Sequence, residues 1–238
     1  MANSLEDAPA VILCGGLGKR LQDALPDQPK SLAALGDSTV IDRILDHFHE
    51  QGVRKFILAI GYRAQQIEDH FKGRAKDCAI AFSREEIPLG TGGALKQAIA
   101  QAPSSKLWLA ANGDSLMEVD LASMRAFHEE TGARLTIALS PAGNREDAGN
   151  VRMDNASRIT AFSEKSGASP WINAGLYLFS HDILQALPND RSFSLELDFF
   201  PAFVADGDCY GFELESPIID IGTPERYLAA RERFRDGR

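Results

Sequence analysis

Apolar, β-branched runs alternate with segments of helical hydrophobic spacing through the first 140 residues. The runs predict strands near 10–14, 54–60, 78–83, 106–112 and 134–140. The spacing between them predicts helices over 38–51, 63–72, 91–102 and 120–131. Strands that alternate with helices in this way predict an α/β fold, a mostly parallel sheet covered by helices on both faces.

The pattern changes after a polar loop at 140–150, SPAGNREDAGN. Short strands are predicted at about 150–153, 158–163 and 172–179, and helices at 181–187 and 194–205. Strands near 209–214 and 218–221 and a helix from Pro224 complete the chain. Since no low-complexity linker separates the two parts, we predict a single domain with a half of about 1–140 and a second half of about 141–238 that extends the same sheet.

Composition narrows the choice of partners. With 238 residues, 44% of them hydrophobic, the chain can build a sizeable core. A net charge of −9 argues against nucleic acid or an anionic membrane as partner, so a polyanionic ligand must be small and bound locally. Three distant cysteines predict reduced thiols, and no run approaches the roughly 18 apolar residues of a membrane span. We therefore expect a cytoplasmic protein.

A glycine-rich loop follows the first predicted strand. The glycines are Gly15, Gly16 and Gly18, and three cations follow by residue 30, namely Lys19, Arg20 and Lys30. Backbone N–H groups beside fixed cations favour a bound anion, whereas the simpler alternative is a tight turn into a helix. The loop fits neither the Walker A pattern nor the dinucleotide fingerprint, which needs a glycine where Leu21 stands.

The loop pattern Gly15-Gly16-x-Gly18-x-Arg20-Leu21, followed by Pro29-Lys30-x-Leu32, resembles the signature of nucleotidyltransferases that act on sugar 1-phosphates. The resemblance continues through GYRAQQI (61–67), EEIPLGTGGAL (85–95), NGDS (112–115), FSEK (162–165), INAGLYLF (172–179) and IDIGTPERY (219–227). It is strongest to the guanylyltransferases of D-glycero-α-D-manno-heptose 1-phosphate, followed by those of mannose 1-phosphate. Lys19 stands where this family usually has Thr or Ser.

The resemblance implies a Rossmann-like, GT-A-like nucleotidyltransferase domain that transfers GMP from GTP to a sugar 1-phosphate with Mg²⁺ as cofactor. It assigns catalysis to Arg20, Lys30, Asp114 and Asp220, the two aspartates also holding the metal. It assigns nucleotide binding to Leu13, Gly15, Gly16, Gly18, Lys19, Glu85, Gly90, Thr91 and Gly92, and sugar-phosphate binding to Gly149, Glu164, Lys165, Asn173 and Gly175. We expect the product to serve capsule or surface polysaccharide synthesis, and the resemblance leaves a homodimer open.

Several of these residues have simpler explanations. Asp114 follows an apolar strand, where α/β sheets bind ligands, but NGD is also an ordinary turn. Asp220 lies between two isoleucines, so its carboxylate needs a cation or strong hydrogen bonds, and a salt bridge to an arginine is the simpler explanation. Thr91 can be interpreted as a helix cap, with the adjacent glycines leaving backbone open to a nucleoside.

Glu85, five residues before Gly90, bears on the choice of base. Uridylyl- and thymidylyltransferases of the superfamily resemble this pattern with Gln at that spacing, and an amide suits a pyrimidine edge. A carboxylate can instead accept both N1–H and N2–H₂ of guanine. The alternatives are a solvated charge at Glu85 and an enzyme that uses UTP or dTTP.

Two other classes of protein compete with this interpretation. Gly113-Asp114-Ser115-Leu116 spells the GDSL of a serine esterase family, but the one Asp-x-x-His of the chain precedes it at Asp46 to His49. A non-catalytic nucleotide-sugar sensor could share the fold, although the presence of all four catalytic candidates speaks against it.

Overall fold

The computed structural model describes residues 5–22, 24–73, 77–102, 104–143, 145, 149–163 and 169–235. The strands are β1 (Ala10–Leu13), β2 (Ala34–Leu35), β3 (Ser38–Thr39), β4 (Lys55–Ile60), β5 (Ala79–Arg84), β6 (Leu107–Asn112), β7 (Ser115–Leu116), β8 (Leu135–Pro141), β9 (Asn150–Met153), β10 (Ile159–Ser163), β11 (Trp171–Ser180), β12 (Cys209–Glu213) and β13 (Ile219–Asp220). The helices are α1 (Val40–Glu50), α2 (Ala64–Phe71), α3 (Gly90–Ile99), α4 (Leu121–Thr131), α5 (Phe200–Val204) and α6 (Pro224–Arg233).

Nine of these strands form one mixed sheet that continues through both halves of the chain. Strands β5, β4, β1 and β6 are neighbours in that order and run parallel. β11 then runs antiparallel to both β6 and β8, and β12 is parallel to β8. The predicted single α/β domain with a mostly parallel, mixed sheet is confirmed.

Helices cover both faces of the sheet, and the sheet divides the hydrophobic core into two clusters. Ala10 and Ile12 of β1 face a cluster that includes residues of α1, α2, α4 and α6. Val11 faces the opposite cluster, which includes α3 and α5. Because both faces are buried, these strands are apolar at successive positions instead of alternating.

Most predicted elements are confirmed with shifts of one or two residues at their ends. The helix predicted at 194–205 is divided into a π-helical turn at Leu195–Phe199 and α5, which has a proline in its first turn. Pro201 has no N–H to donate to residue 197, so a continuous α-helical ladder is interrupted there. The segment predicted as a helix at 181–187 is a 3-10 turn at His181–Gln185.

The strand pairs β2–β3 and β7–β13 are two-residue ribbons outside the main sheet. β2, β3 and β7 were not predicted, because two residues are too few to show a hydrophobic period. Within the described residues, none of the helices has the length and apolar character needed to cross a bilayer.

His128 attaches α4 to the sheet by two side-chain contacts. Its side chain is 3% exposed, with Nδ1 2.8 Å from Thr136 Oγ1 on β8 and Nε2 3.0 Å from Ser180 Oγ on β11. Burial lowers the pKa of His128 to about 4. The folded protein therefore holds this imidazole neutral at pH values at which a solvated histidine would be charged.

We predict that His128 makes folding less favourable in mild acid. Below about pH 6.5 the unfolded chain takes up a proton on this histidine and the folded chain does not, so stability is lost progressively down to about pH 4. The pKa difference corresponds to about 3 kcal/mol of unfolding free energy. Urea unfolding at pH 7 and pH 4.5 should show a weaker pH dependence in His128→Gln than in the wild type. His181→Gln, at an exposed histidine, is the control, and equal pH dependence in all three proteins would contradict the prediction.

Candidate active site

A cavity of about 510 Å³ opens at the carboxyl ends of β1 and β6. The first strand of the chain has β4 on one side and β6 on the other, so the strand order reverses at this point. Open α/β sheets bind ligands in the crevice outside the strand ends at such a reversal. Nine residues predicted from the sequence line the cavity: Leu13, Gly15, Gly16, Gly18, Lys30, Glu85, Gly90, Thr91 and Asp114.

The side chain of Lys30 packs against the glycine loop at Gly18. Gly18 has φ +60°, and a Cβ there would lie 2.9 Å from both Cγ and Cε of Lys30. A side chain at position 18 would therefore push the lysine stem out of place, quite apart from the unfavourable φ. The stem leads the amine to the cavity wall, where Lys30 Nζ lies 3.2 Å from Asp114 Oδ2.

Of the two predicted metal ligands, Asp114 lies in the turn before β7 and Asp220 ends the adjacent strand β13. β13 pairs with β7 so that Asp220 is opposite Ser115, and Ile221 N donates to Asp114 O at 3.3 Å. The Asp220 carboxylate, 13% exposed, is held by Arg145 and by Arg226, whose Nη1 is 3.2 Å from Oδ2. The arginine pairing considered as the alternative for Asp220 is thus present.

These carboxylates suit a metal that takes part of its coordination from a substrate. In the described part of the chain, no group of three or more His, Cys, Asp or Glu side chains is placed to hold a metal by itself. Mg²⁺ commonly uses one or two carboxylates and completes its octahedron with water and substrate phosphate. Two aspartates near the glycine loop are compatible with that donor set.

Glu85 lies on the cavity wall against the glycine loop. A Cβ on Gly15 would overlap Glu85 Oε1, so the carboxylate rests directly on the loop backbone. Glu85 Oε2 accepts a hydrogen bond from Leu89 N at 2.8 Å. Partial burial raises the pKa of Glu85 and the Leu89 N–H opposes that shift. The carboxylate is thus fixed in orientation and faces the cavity with a polar acceptor.

The glycines of LGTGG make room for another part of the protein. Phe193 O accepts from Gly92 N at 3.0 Å, and a Cβ on Gly92 would overlap the Phe193 ring. A Cβ on Gly93 would lie 2.5 Å from Arg191 O. Gly92 is buried and does not line the cavity. Residues 191–193 therefore fill the space left by the absent side chains of Gly92 and Gly93, and nucleotide binding at Gly92 stays a prediction.

Thr91 is not a helix cap, because α3 already begins at Gly90, which has φ +70°. Its side chain instead donates to Glu196 Oε2 at 2.6 Å and accepts from Leu195 N at 2.9 Å. Thr91 nevertheless lines the cavity, together with Gly90.

The remaining predicted residues do not line the cavity or lie outside the described residues. Lys19 and Arg20 are exposed in a 3-10 turn, and Arg20 Nη2 is 3.9 Å from the position of a Cβ on Gly222, next to Asp220. Gly149 O accepts from Asn173 N at 2.8 Å, which brings two sugar-phosphate candidates together. Glu164 and Lys165 lie outside the described residues.

Gly175 is close to the cavity through Asn112. Its φ is +77°, and a Cβ there would lie 2.5 Å from Asn112 Nδ2, while Asn112 itself lines the cavity. The sequence analysis did not identify Asn112 as a site residue, nor Gly61 and Tyr62, which also line the cavity. The sequence indicated them only through the segments NGDS and GYRAQQI, which resemble segments of the nucleotidyltransferase family.

Ser115 has no esterase geometry. It is buried in β7, and its hydroxyl donates to Asp114 Oδ1 at 3.4 Å, whereas an esterase nucleophile contacts a histidine.

Comparisons with known proteins agree with this geometry. The family model described as Nucleotidyl transferase matches residues 9–237. A D-glycero-alpha-D-manno-heptose 1-phosphate guanylyltransferase from Aneurinibacillus thermoaerophilus is 36% identical over 94% of this chain and 96% of its own length. A mannose-1-phosphate guanylyltransferase from Mycobacterium tuberculosis is 34% identical over 92% of this chain and 62% of its own length. The crystal structure of HddC from Yersinia pseudotuberculosis complexed with GMP-PN has a TM-score of 0.84 and 31% identity, covering 95% of this chain and 99% of that chain.

We predict that Gly92→Ala destabilises the protein even though alanine is the better helix former. Helix propensity alone would make the alanine variant more stable by up to about 1 kcal/mol. Overlap with Phe193 should reverse the sign and cost about 1–3 kcal/mol of unfolding free energy. Urea denaturation measures the difference. Gly16→Ala, where a Cβ would meet nothing within 4 Å, is the control, and a stabilised Gly92→Ala variant would show that residues 191–193 do not dock here.

Proposed function

Because the chain belongs to the nucleotidyl transferase family, we propose that it transfers GMP from GTP to a sugar 1-phosphate, yielding a GDP-sugar and pyrophosphate. The observation that carries the proposal is one cavity lined by a glycine loop, the Lys30–Asp114 ion pair and the Glu85 carboxylate. The first two suit a triphosphate and the third suits a guanine edge.

In the proposed reaction, an oxygen of the sugar phosphate attacks the α-phosphorus of GTP in line. A new bond joins that oxygen to the α-phosphorus, the bond to the β-phosphate bridging oxygen breaks, and pyrophosphate leaves with the electron pair. Lys30 and Arg20 would offset the negative charge of the triphosphate, Lys30 nearer the α-phosphate. No protein nucleophile is required, since positioning and charge stabilisation account for such chemistry.

We further propose that Asp114 and Asp220 hold Mg²⁺. When bound, the ion would supply Lewis-acid neutralisation of phosphate oxygens, as hard cations with carboxylate ligands do. Arg145 and Arg226 pair with Asp220 in the described structure and hold its carboxylate in place.

For the acceptor we propose D-glycero-α-D-manno-heptose 1-phosphate, supported by the similarity over nearly full length to the guanylyltransferase from A. thermoaerophilus. Mannose 1-phosphate is the second candidate, supported by the M. tuberculosis relative. We assign the acceptor to the second half of the chain, at Gly149, Asn173 and Gly175, together with Glu164 and Lys165. A cytoplasmic dimer that supplies GDP-sugar for surface polysaccharide completes the proposal.

A substrate panel tests the function directly. Purified protein is assayed for pyrophosphate release with GTP, UTP, dTTP, CTP and ATP against manno-heptose, mannose and glucose 1-phosphates, with Mg²⁺ or with excess EDTA. We expect the highest kcat/KM for GTP with manno-heptose 1-phosphate and no turnover in EDTA. A preference for UTP or dTTP would overturn the guanylyl assignment, and full activity in EDTA would overturn the metal assignment.

We predict that Lys30→Ala lowers turnover at least a hundredfold. The lost contact with developing charge corresponds to about 3 kcal/mol of transition-state stabilisation. Steady-state kinetics with saturating GTP measure the effect, and circular dichroism verifies folding. Lys55→Ala, at an exposed lysine of β4, is the matched control and should turn over as the wild type does. If Lys30→Ala folds and keeps normal turnover, the glycine loop and Lys30 have a structural role only.

We predict that Glu85→Gln weakens selection of GTP over UTP. The amide can accept only through its single oxygen, and its NH₂ group opposes the guanine donors, which should cost roughly 1–3 kcal/mol. The measurement is the ratio of kcat/KM for the two nucleotides. Glu50→Gln, at an exposed glutamate at the end of α1 that does not line the cavity, is the control. An unchanged ratio in Glu85→Gln would remove Glu85 from the base site.

A further inference from the structure

The segment from Arg191 to Phe199 contacts both the wall of the proposed nucleotide cavity and strand β11. Its beginning is fixed on the start of α3, because Phe193 N donates to Leu89 O at 3.0 Å and Phe193 O accepts from Gly92 N. It then enters the π-helical turn at Leu195–Phe199. Such turns are rare and occur frequently at functional sites. Glu196 lies in this turn, and the sequence analysis assigned it no role.

Glu196 is bonded to the cavity wall on one side. Its Oε2 accepts from Thr91 Oγ1 at 2.6 Å and from Ser194 Oγ at 2.8 Å. Since Thr91 also accepts from Leu195 N, the direction of both bonds to the threonine hydroxyl is fixed. The carboxylate is therefore held in place by a residue that lines the proposed nucleotide site.

On its other side Glu196 reaches a residue of the proposed sugar-phosphate site. Its Oε1 lies 3.5 Å from the hydroxyl of the fully buried Tyr177. That hydroxyl accepts from Asn173 Nδ2 at 2.9 Å, and Asn173 Oδ1 accepts from Gly175 N at 2.9 Å. The three side chains thus form a continuous chain from Glu196 to Asn173.

The carboxylate determines the direction of this chain. An ionised Glu196 can only accept, so the Tyr177 proton points towards it and the hydroxyl lone pairs face Asn173. The Asn173 amide is then oriented with its donor Nδ2 towards Tyr177 and its acceptor Oδ1 towards Gly175. Because Nδ2 carries two hydrogens, this orientation permits a second bond to an oxygen of a ligand.

We propose that Glu196 is a positioning residue that, through Tyr177, orients the Asn173 amide to donate to an oxygen of the sugar 1-phosphate. The proposal rests on the proposed function for the identity of that ligand. Through Thr91 the same carboxylate ties the acceptor side of the site to the nucleotide side.

Substitutions that preserve volume test the direction of the chain. In Glu196→Gln the new NH₂ group faces the Tyr177 hydroxyl, which must turn its proton towards Asn173 and force the amide to flip. Tyr177→Phe removes the link altogether. For both variants we expect the KM of the sugar 1-phosphate to rise about fivefold or more, the effect of one lost hydrogen bond, with the KM of GTP changed less than about twofold. Asp198→Asn, which removes a charge two residues away in the same turn, should leave both KM values unchanged.

The same variants separate positioning from simple attachment of the segment. If Glu196 merely fastens residues 191–199 to α3, Thr91→Val would reproduce Glu196→Gln in thermal stability and kinetics, and Tyr177→Phe would behave as wild type. That result would overturn the proposal.

A spectroscopic measurement tests the orientation of the amide even if no transferase activity is found. The side-chain NH₂ resonances of Asn173 are assigned by their absence from Asn173→Asp, and their shifts and solvent exchange are followed by ¹⁵N–¹H NMR. We expect them to shift and to exchange faster in Glu196→Gln and Tyr177→Phe but not in Asp198→Asn. Unchanged Asn173 resonances in Glu196→Gln would refute the positioning role independently of the reaction catalysed.

Discussion

The burial of the central sheet on both faces is the constraint on which the rest of the structure depends. Strands β1, β4 and β6 have apolar side chains directed into two separate core clusters. Charged groups on such strands must lie at the strand ends, because a charge buried against either face would lose its hydration. The carboxyl ends of β1 and β6 meet where the strand order reverses. This is where the glycine loop, Lys30 and Asp114 come together.

The cations near this crevice, and not the net charge of the chain, would favour a bound polyanion. The chain carries nine more negative than positive charges, yet Lys30 lies within the cavity and Arg20 reaches the turn after Asp220. Asp114 and Asp220 each contact at least one cation. These ion pairs hold the carboxylates and the cations close together.

Several glycines let other parts of the chain pack closely against their backbone, and these contacts connect the two halves of the site. Gly18 admits the Lys30 stem, Gly15 admits the Glu85 carboxylate, and Gly175 admits Asn112. Gly92 and Gly93 admit residues 191–193, which then place Glu196 between Thr91 and Tyr177. Each of these glycines allows contact between parts of the chain that are separated in sequence. Together these contacts join the proposed nucleotide side and the proposed acceptor side into one structure.

The sequence by itself determined the elements and the class of fold, because hydrophobic periodicity is a local property that each segment carries. It also indicated the glycine loop, Lys30 and Asp114, since their order along the chain resembles a known pattern. It did not reveal the two-residue strands β2, β3 and β7, the pairing of β7 with β13, the π-helical turn or the attachment of His128.

Only the tertiary structure decided what the LGTGG glycines contact. A glycine in sequence signals that something approaches the backbone, but not whether that partner is a ligand or the Phe193 ring. The same holds for Asp220, whose arginine partners are 75 and 6 residues away. Glu196 bears no local signal either, since its bonds join residues 91, 177 and 194. Contacts between distant segments arise from packing, and periodicity along the chain contains no information about them.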